Sequence, residues 1–305
     1  MSKLNLAVEV GGLRLRNPLM NAAGVLGLSA SLLRRVYEAG AGIVVTKSIG
    51  PSPRRGHPNP TLVAVEGGIL NSMGLPNPGA AYFAGEVKRL KEMGIPVVVS
   101  IFGSSLEEYV EVARTMAEAG ADALELNYSC PTVGRERCLL DADPESIERV
   151  TSAVRDAVDL PIFAKLSPNV GDIGECARAS ERGGADAITA VNTLKGLAID
   201  PELRRPILSG IVGGLSGPAL KPVALRCVWE IAEEVEIPVI GCGGISTWRD
   251  AIEFLLCGAS ALQIGTAIMY RGLGVFGEVL EGMRAYLEAN GFGDVNEIVG
   301  IAHEA

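Results

Sequence analysis

The chain has 305 residues, of which 48% are hydrophobic and 21% are charged, a balance that predicts a large folded core rather than disorder. The net charge of -9 at pH 7 argues against nucleic acid as the main partner, because binding to phosphate groups requires a basic surface. No apolar run reaches the roughly 18 to 20 residues of a membrane span. The first residues, MSKLNLAVEV, lack a signal-peptide core, so we expect a cytoplasmic protein.

The six cysteines and two histidines bear on metal and nucleophile chemistry. The cysteines are spread along the chain without a C-x-x-C pair, which argues against a zinc ribbon or a four-thiolate cluster. Most of them are predicted to be small buried residues. His57 and His303 lie far in the sequence from any candidate constellation, so we expect neither a metal site nor a Ser-His-Asp triad.

The N-terminal part of the chain predicts a hairpin followed by two strand–helix units. Residues 6–15, LAVEVGGLRL, alternate around two glycines, which indicates a β-hairpin. Apolar runs at 19–23 and 42–48 predict strands, with a helix between them ending near residue 39. Residues 49–80 are rich in Pro and Gly and predict a long irregular segment, which inside a compact domain is usually functional.

From residue 81 onward, helical patterns and short apolar strands alternate regularly. The predicted helices cover 81–93, 106–119, 144–158, 173–182, 220–234, 248–256 and 275–289, and the strands cover 96–102, 123–126, 161–166, 187–191, 238–240 and 261–264. With the two earlier strands, eight strands are each followed by a helix. This predicts an α/β fold, a (β/α)8 TIM barrel with an N-terminal β-hairpin and inserted loops over the C-terminal face. A doubly wound sheet is the alternative, and no linker divides residues 1–305 into separate domains.

The predicted strand ends form a polar ring, and in a TIM barrel the active site lies at these ends. The ring consists of Ala22, Ala23, Gly24, Lys47, Ser48, Ser100, Asn127, Lys165, Ser167, Asn192, Thr193, Gly243, Gly244, Gly265 and Thr266. Lysines and asparagines at buried strand ends are costly unless they meet a ligand or each other. The sequence favours a phosphate-binding site at the glycines after strands seven and eight, together with Gly217 in GGLSGP. Without side chains in the way, backbone N–H groups can approach phosphate oxygens there. We therefore expect a phosphorylated cofactor.

Cys130 stands beyond the fourth strand in ALELNYSCPTV. No histidine is near it in sequence, so a Cys-His nucleophile cannot be assembled locally. A thiol can also act as a general acid or base on a carbon acid. The flanking Ser129 and Pro131 disfavour a packed core cysteine.

Several motifs resemble those of dihydroorotate dehydrogenases, in particular the catalytic subunits of class 1B. They are NSMGLPNPG (71–79), LELNYSCP (124–131), KLSPNV (165–170), VNTLKG (191–196), GGLSGPALKPVALR (213–226), GCGGI (241–245) and IGTA (264–267). They span nearly the whole chain in the order and spacing of that family. The chain has Ser100 where many class 1B members have asparagine, and Thr132 where asparagine is usual.

The resemblance implies a single FMN-binding TIM-barrel domain that oxidises (S)-dihydroorotate to orotate in pyrimidine biosynthesis. Hydride would pass from C6 to flavin N5, and Cys130 would take the C5 proton. The positions matching flavin contacts are Ala23, Lys47, Ser48, Ser100, Asn127, Lys165, Val191, Gly217, Gly243, Gly244, Gly265 and Thr266. Those matching substrate contacts are Lys47, Asn71, Ser72, Met73, Gly74, Leu75, Asn127, Asn192 and Thr193. Lys165 would lie near the N1–C2=O edge of the flavin and stabilise its reduced anion.

The resemblance to class 1B further implies a partner subunit that carries FAD and a [2Fe-2S] cluster and passes electrons to NAD. The expected assembly is a heterotetramer around a homodimer of this chain, with no membrane or nucleic-acid partner. The alternatives are a fumarate-linked class 1A enzyme and another FMN barrel, such as one that reduces uridine in transfer RNA. The latter would need a basic face, which the net charge of -9 opposes. A non-catalytic barrel would have no reason to keep the polar ring.

Overall fold

The computed structural model describes residues 4–128 and 143–304. The prediction for Cys130 therefore lies outside the described residues. Within them, no helix is both long enough and apolar enough to cross a lipid bilayer.

The strands and helices of the described residues follow one another in a regular order. The strands are β1 (Val8–Val10), β2 (Leu13–Leu15), β3 (Leu19–Asn21), β4 (Val44–Val45), β5 (Leu62–Val65), β6 (Gly68–Asn71), β7 (Val97–Ile101), β8 (Ala123–Asn127), β9 (Ile162–Leu166), β10 (Ala187–Ala190), β11 (Leu194–Leu197), β12 (Ile199–Asp200), β13 (Arg205–Pro206), β14 (Val212–Ser216), β15 (Val239–Cys242) and β16 (Ala259–Ile264). The helices are α1 (Ala30–Glu38), α2 (Ala80–Glu92), α3 (Leu106–Glu118), α4 (Pro144–Arg155), α5 (Ile173–Arg182), α6 (Lys221–Ala232), α7 (Trp248–Leu256), α8 (Thr266–Arg271) and α9 (Val275–Ala289), with 3₁₀ turns at Pro218–Leu220, Val295–Ile298 and Ile301–Glu304.

Eight parallel strands form the barrel, in the order β3-β16-β15-β10-β9-β8-β7-β4. A parallel bridge between Met20 and Ile43 joins the two ends of this sheet. Every residue of β7, β8 and β9 is buried, as expected for parallel strands that are covered by helices on one side and fill the barrel on the other. The predicted (β/α)8 barrel is confirmed.

The N-terminal hairpin is also confirmed. β1 and β2 pair antiparallel, and Gly11 and Gly12 between them have φ of 54° and 78°, the left-handed conformation that two-residue hairpin turns require. A Cβ on Gly11 would lie 2.8 Å from the ring of Phe163. The turn therefore packs closely against the β9 region of the barrel.

Part of the segment 49–80, which was predicted to be irregular, belongs to a second sheet. Strands β5 and β6, from residues 49–80, pair with β14 and β11 to give a four-stranded antiparallel sheet, the mouth sheet, in the order β11-β14-β6-β5. Gly214 of β14 pairs with Asn71 of β6, so the partners are far apart in sequence. The strands β6, β11 and β14 have only four or five residues each and contain glycine, so they lack the local apolar alternation from which strands are predicted. The prediction that residues 49–80 form one irregular segment was therefore wrong at β5 and β6.

The helices match their predictions closely because most of their ends carry local signals. The predicted ranges 173–182, 248–256 and 275–289 are those observed for α5, α7 and α9. Thr247 and Asp250 form a capping box at the start of α7, which satisfies backbone N–H groups that the first helical turn leaves unpaired. The six-residue helix α8 was not predicted, because it is shorter than two turns.

The contact between α9 and α7 gives a stability test with an internal control. A Cβ on Gly282 of α9 would lie 2.5 Å from Cβ of Trp248, whereas a Cβ on Gly277 of the same helix meets nothing within 4 Å. We expect Gly282→Ala to lower the free energy of unfolding by about 1–3 kcal/mol, since the two backbones must separate. Gly277→Ala should raise it by about 0.5–1 kcal/mol, because alanine favours the helix. Denaturant titration measures both, and equal effects of the two variants would contradict this packing.

Candidate active site

A cavity of about 700 Å³ lies at the C-terminal ends of the barrel strands, beneath the mouth sheet. Its wall combines residues at the ends of β3, β8, β9, β10, β15 and β16 with residues of β6 and β14. Its volume falls within the range of small-molecule sites, roughly 300–1,000 Å³. A second hollow, of about 650 Å³, lies on the outside of the barrel between α4 and α5 and is lined mainly by charged side chains. Except for Ser100, the polar residues at the strand ends line the first cavity and not the second.

The cavity collects nearly all of the residues that the sequence singled out. Its lining includes Ala23, Lys47, Ser48, Asn71, Ser72, Met73, Gly74, Leu75, Asn127, Lys165, Val191, Asn192, Thr193, Gly217, Gly243, Gly244, Gly265 and Thr266. Ser100 is not part of this lining: it is fully buried, and its Oγ lies 3.0 Å from Oγ of Ser48. Ser100 therefore supports a lining residue from behind.

Asn127, the last residue of β8, is held in one orientation by its neighbours. Its Nδ2 donates to Oγ of Ser48 at 3.0 Å, and its Oδ1 accepts from Nδ2 of Asn192 at 3.1 Å. Its backbone carbonyl accepts from the Tyr109 hydroxyl at 2.8 Å. The two asparagine amides thus meet across the cavity wall and present a fixed array of donors and acceptors.

Lys47 follows β4 and is 8% exposed. Among the described residues it forms no ion pair with a carboxylate. Burial lowers the pKa of its ammonium group, because removal from water disfavours the charged form. An anionic group bound in the cavity would compensate this charge.

Lys165, on β9, is also buried but has a compensating charge. Its Nζ lies 3.5 Å from Oε1 of Glu125 and donates to Oε1 of Gln263 at 2.7 Å. Burial is the largest influence and by itself would lower the pKa of Lys165. The negative charge of Glu125, the neighbouring Cys242 and the side-chain contact with Glu125 together outweigh it, so the pKa is raised. The ammonium is therefore held charged at the base of the cavity.

One end of the cavity is built from glycine backbone. Gly217, Gly243 and Gly244 have φ of 102°, 140° and 79°. Residues that carry a Cβ rarely adopt these backbone angles. A Cβ on Gly244 would also lie 2.9 Å from the carbonyl oxygen of Gly217. Nearby, Oγ1 of Thr266 donates to Oγ of Ser216 at 2.8 Å. Glycine backbone and hydroxyl groups of this kind suit the oxygens of a phosphate group.

The segment from Asn71 to Leu75 forms the wall opposite the barrel. Asn71 donates through Nδ2 to the carbonyl of Gly214 at 3.2 Å, which ties the segment to β14. Leu75, with φ of 53°, is one of the few non-glycine residues of the described chain in the left-handed region. The mouth sheet therefore fixes this wall through long-range pairing.

His57 corrects an expectation from the sequence. It was expected to lie far from any functional constellation, yet it lines the cavity. Its backbone N–H donates to the carbonyl of Met73 at 3.0 Å, and its Nδ1 lies 3.0 Å from Oγ of Ser72. The separation in sequence was misleading because the chain reverses through β5 and β6. Only its place in the Pro/Gly segment, already predicted to be functional, could have indicated it.

Other lining residues were not predicted as site residues. They include Val25, Leu26, Leu62, Cys242, Ser216 and Met269. Cys242 lies in the motif GCGGI, but a cysteine within an apolar strand is usually a core residue. The apolar lining residues have no sequence feature that distinguishes a cavity wall from the core. Among the described residues, no cluster of His, Cys, Asp or Glu could hold a metal ion.

Comparison with known proteins identifies the family. The family model described as dihydroorotate dehydrogenase matches residues 5–287. Relatives named "Dihydroorotate dehydrogenase B (NAD(+)), catalytic subunit" include one from Pyrococcus furiosus, 49% identical over 99% of this chain and 100% of its own length. One from Thermococcus kodakarensis is 50% identical over the full length of both chains, and one from Methanosarcina mazei is 49% identical over 96% of this chain and 94% of its own. The chain belongs to the dihydroorotate dehydrogenase family.

Proposed function

We propose that this chain is a single FMN-binding domain that oxidises (S)-dihydroorotate to orotate in pyrimidine biosynthesis. The observation that carries the proposal is the buried ammonium of Lys47, which has no carboxylate partner among the described residues and lines the same cavity as Asn71, Asn127 and Asn192. A carboxylate supplies the missing negative charge, and a ring with amide N–H and C=O groups matches the asparagine side chains. Orotate and dihydroorotate combine both features.

The residues around the cavity fit FMN. The glycine backbone at Gly217, Gly243 and Gly244 and the nearby Thr266 hydroxyl suit the phosphate, and the charged Lys165 suits the electron-rich edge of the ring. When bound, the flavin supplies the hydride acceptor. The protein supplies orientation and positive charge where negative charge develops.

Cys130 is proposed as the base that takes the C5 proton. Asn127, three residues earlier in the sequence, ends β8 and lines the cavity. A thiolate near substrate is a suitable acceptor for a carbon-bound proton. The family resemblance of LELNYSCP supports this role, while Cys130 itself lies outside the described residues.

The electron acceptor is proposed from the names of the relatives. Those names include both "catalytic subunit" and NAD(+), which supports a second subunit. We propose that this partner carries FAD and a [2Fe-2S] cluster and that the assembly is a heterotetramer around a homodimer of this chain. A fumarate-linked enzyme, as in class 1A, is the alternative.

The visible spectrum tests the proposed function directly. The purified chain should absorb at about 450 nm, as bound flavins do, and anaerobic dihydroorotate should bleach this band. Dihydrouracil, which has the same ring but no carboxylate, should leave the band intact, because nothing then pairs with Lys47. A flavin that dihydroorotate does not reduce would refute the proposal. Rapid reoxidation of the bleached chain by fumarate, with no partner present, would instead assign it to class 1A.

Replacement of Cys130 tests the proposed base. Cys130→Ala should retain bound flavin, but dihydroorotate should reduce it at least about 100-fold more slowly, the usual range for losing a general base. Stopped-flow absorbance measures this half-reaction. Cys257→Ala is the matched control, because Cys257 is a half-buried free cysteine outside the cavity lining. Equal reduction rates in wild type and Cys130→Ala would remove Cys130 from the mechanism.

The lowered pKa of Lys47 predicts how orotate affinity depends on pH. A bound carboxylate raises this pKa relative to the free protein, so affinity is highest below the free-state pKa and falls as the pH rises through it. Because burial lowers the free-state pKa, the fall should begin below the pH at which an ordinary lysine titrates. Lys47→Met should weaken binding by about 10- to 100-fold at neutral pH and abolish this alkaline loss.

Flavin difference spectra at several pH values measure the orotate affinity of both proteins. Lys88→Met, which removes an exposed lysine from α2, controls for the change in net charge and should behave like wild type. An alkaline loss of the same size in Lys47→Met would exclude Lys47 as its source.

A further inference from the structure

Four polar side chains from different strands meet inside the barrel. Glu125 lies on β8, Lys165 on β9, Thr189 on β10 and Gln263 on β16, and none of them is more than 4% exposed. Such positions in TIM barrels are mostly filled by branched apolar residues. The family resemblance gives a role only to Lys165, so the presence of the other three requires a separate explanation.

Gln263, the only glutamine of the chain, joins the two charged groups. Its Oε1 accepts from Nζ of Lys165 at 2.7 Å, and its Nε2 donates to Oε2 of Glu125 at 2.5 Å. The same carboxylate oxygen accepts from Oγ1 of Thr189 at 3.1 Å. The other oxygen, Oε1 of Glu125, is buried without a hydrogen bond among the described residues and lies 3.5 Å from Nζ of Lys165.

A purely structural ion pair explains this arrangement poorly. Removing two charges from water costs several kcal/mol, and apolar residues of the same volume are often equally or more stabilising. Lys165 also lines the cavity, which a pair serving only the core would not need to do. The other ionisable group beside Lys165 is Cys242, whose pKa is raised chiefly by burial, so it remains a neutral thiol. Among the described residues, Glu125 is therefore the counter-charge of Lys165.

We propose that Glu125 and Gln263 are positioning residues that keep Lys165 charged and aimed at the flavin. This inference rests on the proposed function, because the flavin is the group on which Lys165 acts. Glu125 supplies the negative charge that lets an ammonium exist in the barrel interior. Gln263 fixes the direction of the ammonium by accepting one of its hydrogen bonds while it holds the carboxylate with its own N–H.

The proposal predicts a shared effect on the flavin. Reduction by two electrons makes the bound flavin more negative, so a nearby ammonium favours the reduced form. Lys165→Met removes that ammonium. Glu125→Gln removes the counter-charge, and an unpaired lysine in such a site gives up its proton near neutral pH. Both variants should therefore make the flavin harder to reduce, and by the same route.

The midpoint potential of the bound FMN, measured by equilibration with a reference dye, tests this coupling. Lys165→Met and Glu125→Gln should each lower the reduced-to-oxidised ratio at a fixed potential by at least tenfold, a shift of about 30 mV for two electrons. The double variant should match Lys165→Met alone. Thr189→Val removes a hydrogen bond to Glu125 but leaves both charges in place, so it should lower the potential by less than Glu125→Gln. An unchanged or raised potential in Glu125→Gln, or a double variant showing the sum of both shifts, would overturn the proposal.

A measurement on the flavin-free chain separates this inference from the proposed function. With lysines isotopically labelled at Cε and Nζ, NMR should show Lys165, assigned by its loss in Lys165→Met, charged at pH 7 in wild type and neutral in Glu125→Gln. A charged Lys165 in Glu125→Gln would overturn the inference. A wild-type chain that binds no flavin would overturn the proposed function, whereas the charge of Lys165 in the flavin-free chain would still show whether Glu125 keeps it protonated. If Glu125→Gln does not fold, Gln263→Met takes its place: it should lower the potential by less than Lys165→Met, and an unchanged potential would overturn the proposal.

Discussion

A buried ammonium group must find a negative charge, and the site of this protein contains two such groups in different situations. Lys165 is compensated within the chain by Glu125, at an Nζ–Oε1 distance of 3.5 Å. Lys47 has no such partner among the described residues, and its pKa is lowered by burial. The first arrangement maintains a permanent positive charge at the base of the cavity, while the second leaves room for an anion. The proposed placement of cofactor and substrate follows from this difference.

The rest of the fold keeps these two charges in one cavity. The parallel barrel brings the ends of β8, β9 and β10 together in register, with Asn127 opposite Lys165. The mouth sheet then covers them with a wall that includes Asn71, fixed by pairing between β6 and β14. Removing water from the space between barrel and sheet strengthens each electrostatic interaction inside it. The barrel therefore sets the positions of the charges, and the mouth sheet sets their environment.

Much of the barrel could be predicted from sequence because its signals are local. Helix α5 follows from an N-cap at Asp172 and an apolar periodicity, and β9 follows from the short apolar run around Lys165. The ring at the strand ends could also be predicted, since every parallel strand contributes its C-terminal residue to the same face. Nearly all of the predicted site residues accordingly line one cavity.

The parts that were missed depend on contacts between distant residues. The mouth sheet pairs Gly214 with Asn71, and His57 reaches the cavity only because the chain turns back through β5 and β6. The role of Gln263 is also invisible in sequence, because it depends on two charged partners from other strands. Ser100 shows the reverse case: its position at a strand end is right, but its side chain turns behind Ser48. The hydrophobic periodicity of the sequence predicts helices and strands, but it does not predict where individual polar side chains point.

A crystal structure of the chain with FMN and orotate most directly tests whether the two buried lysines hold cofactor and substrate as proposed. We expect the orotate carboxylate against the Lys47 ammonium, the FMN phosphate at Gly217, Gly243 and Gly244, and the flavin ring edge at Lys165. An orotate carboxylate bound away from Lys47, or a phosphate held at the opposite end of the cavity, would contradict this placement.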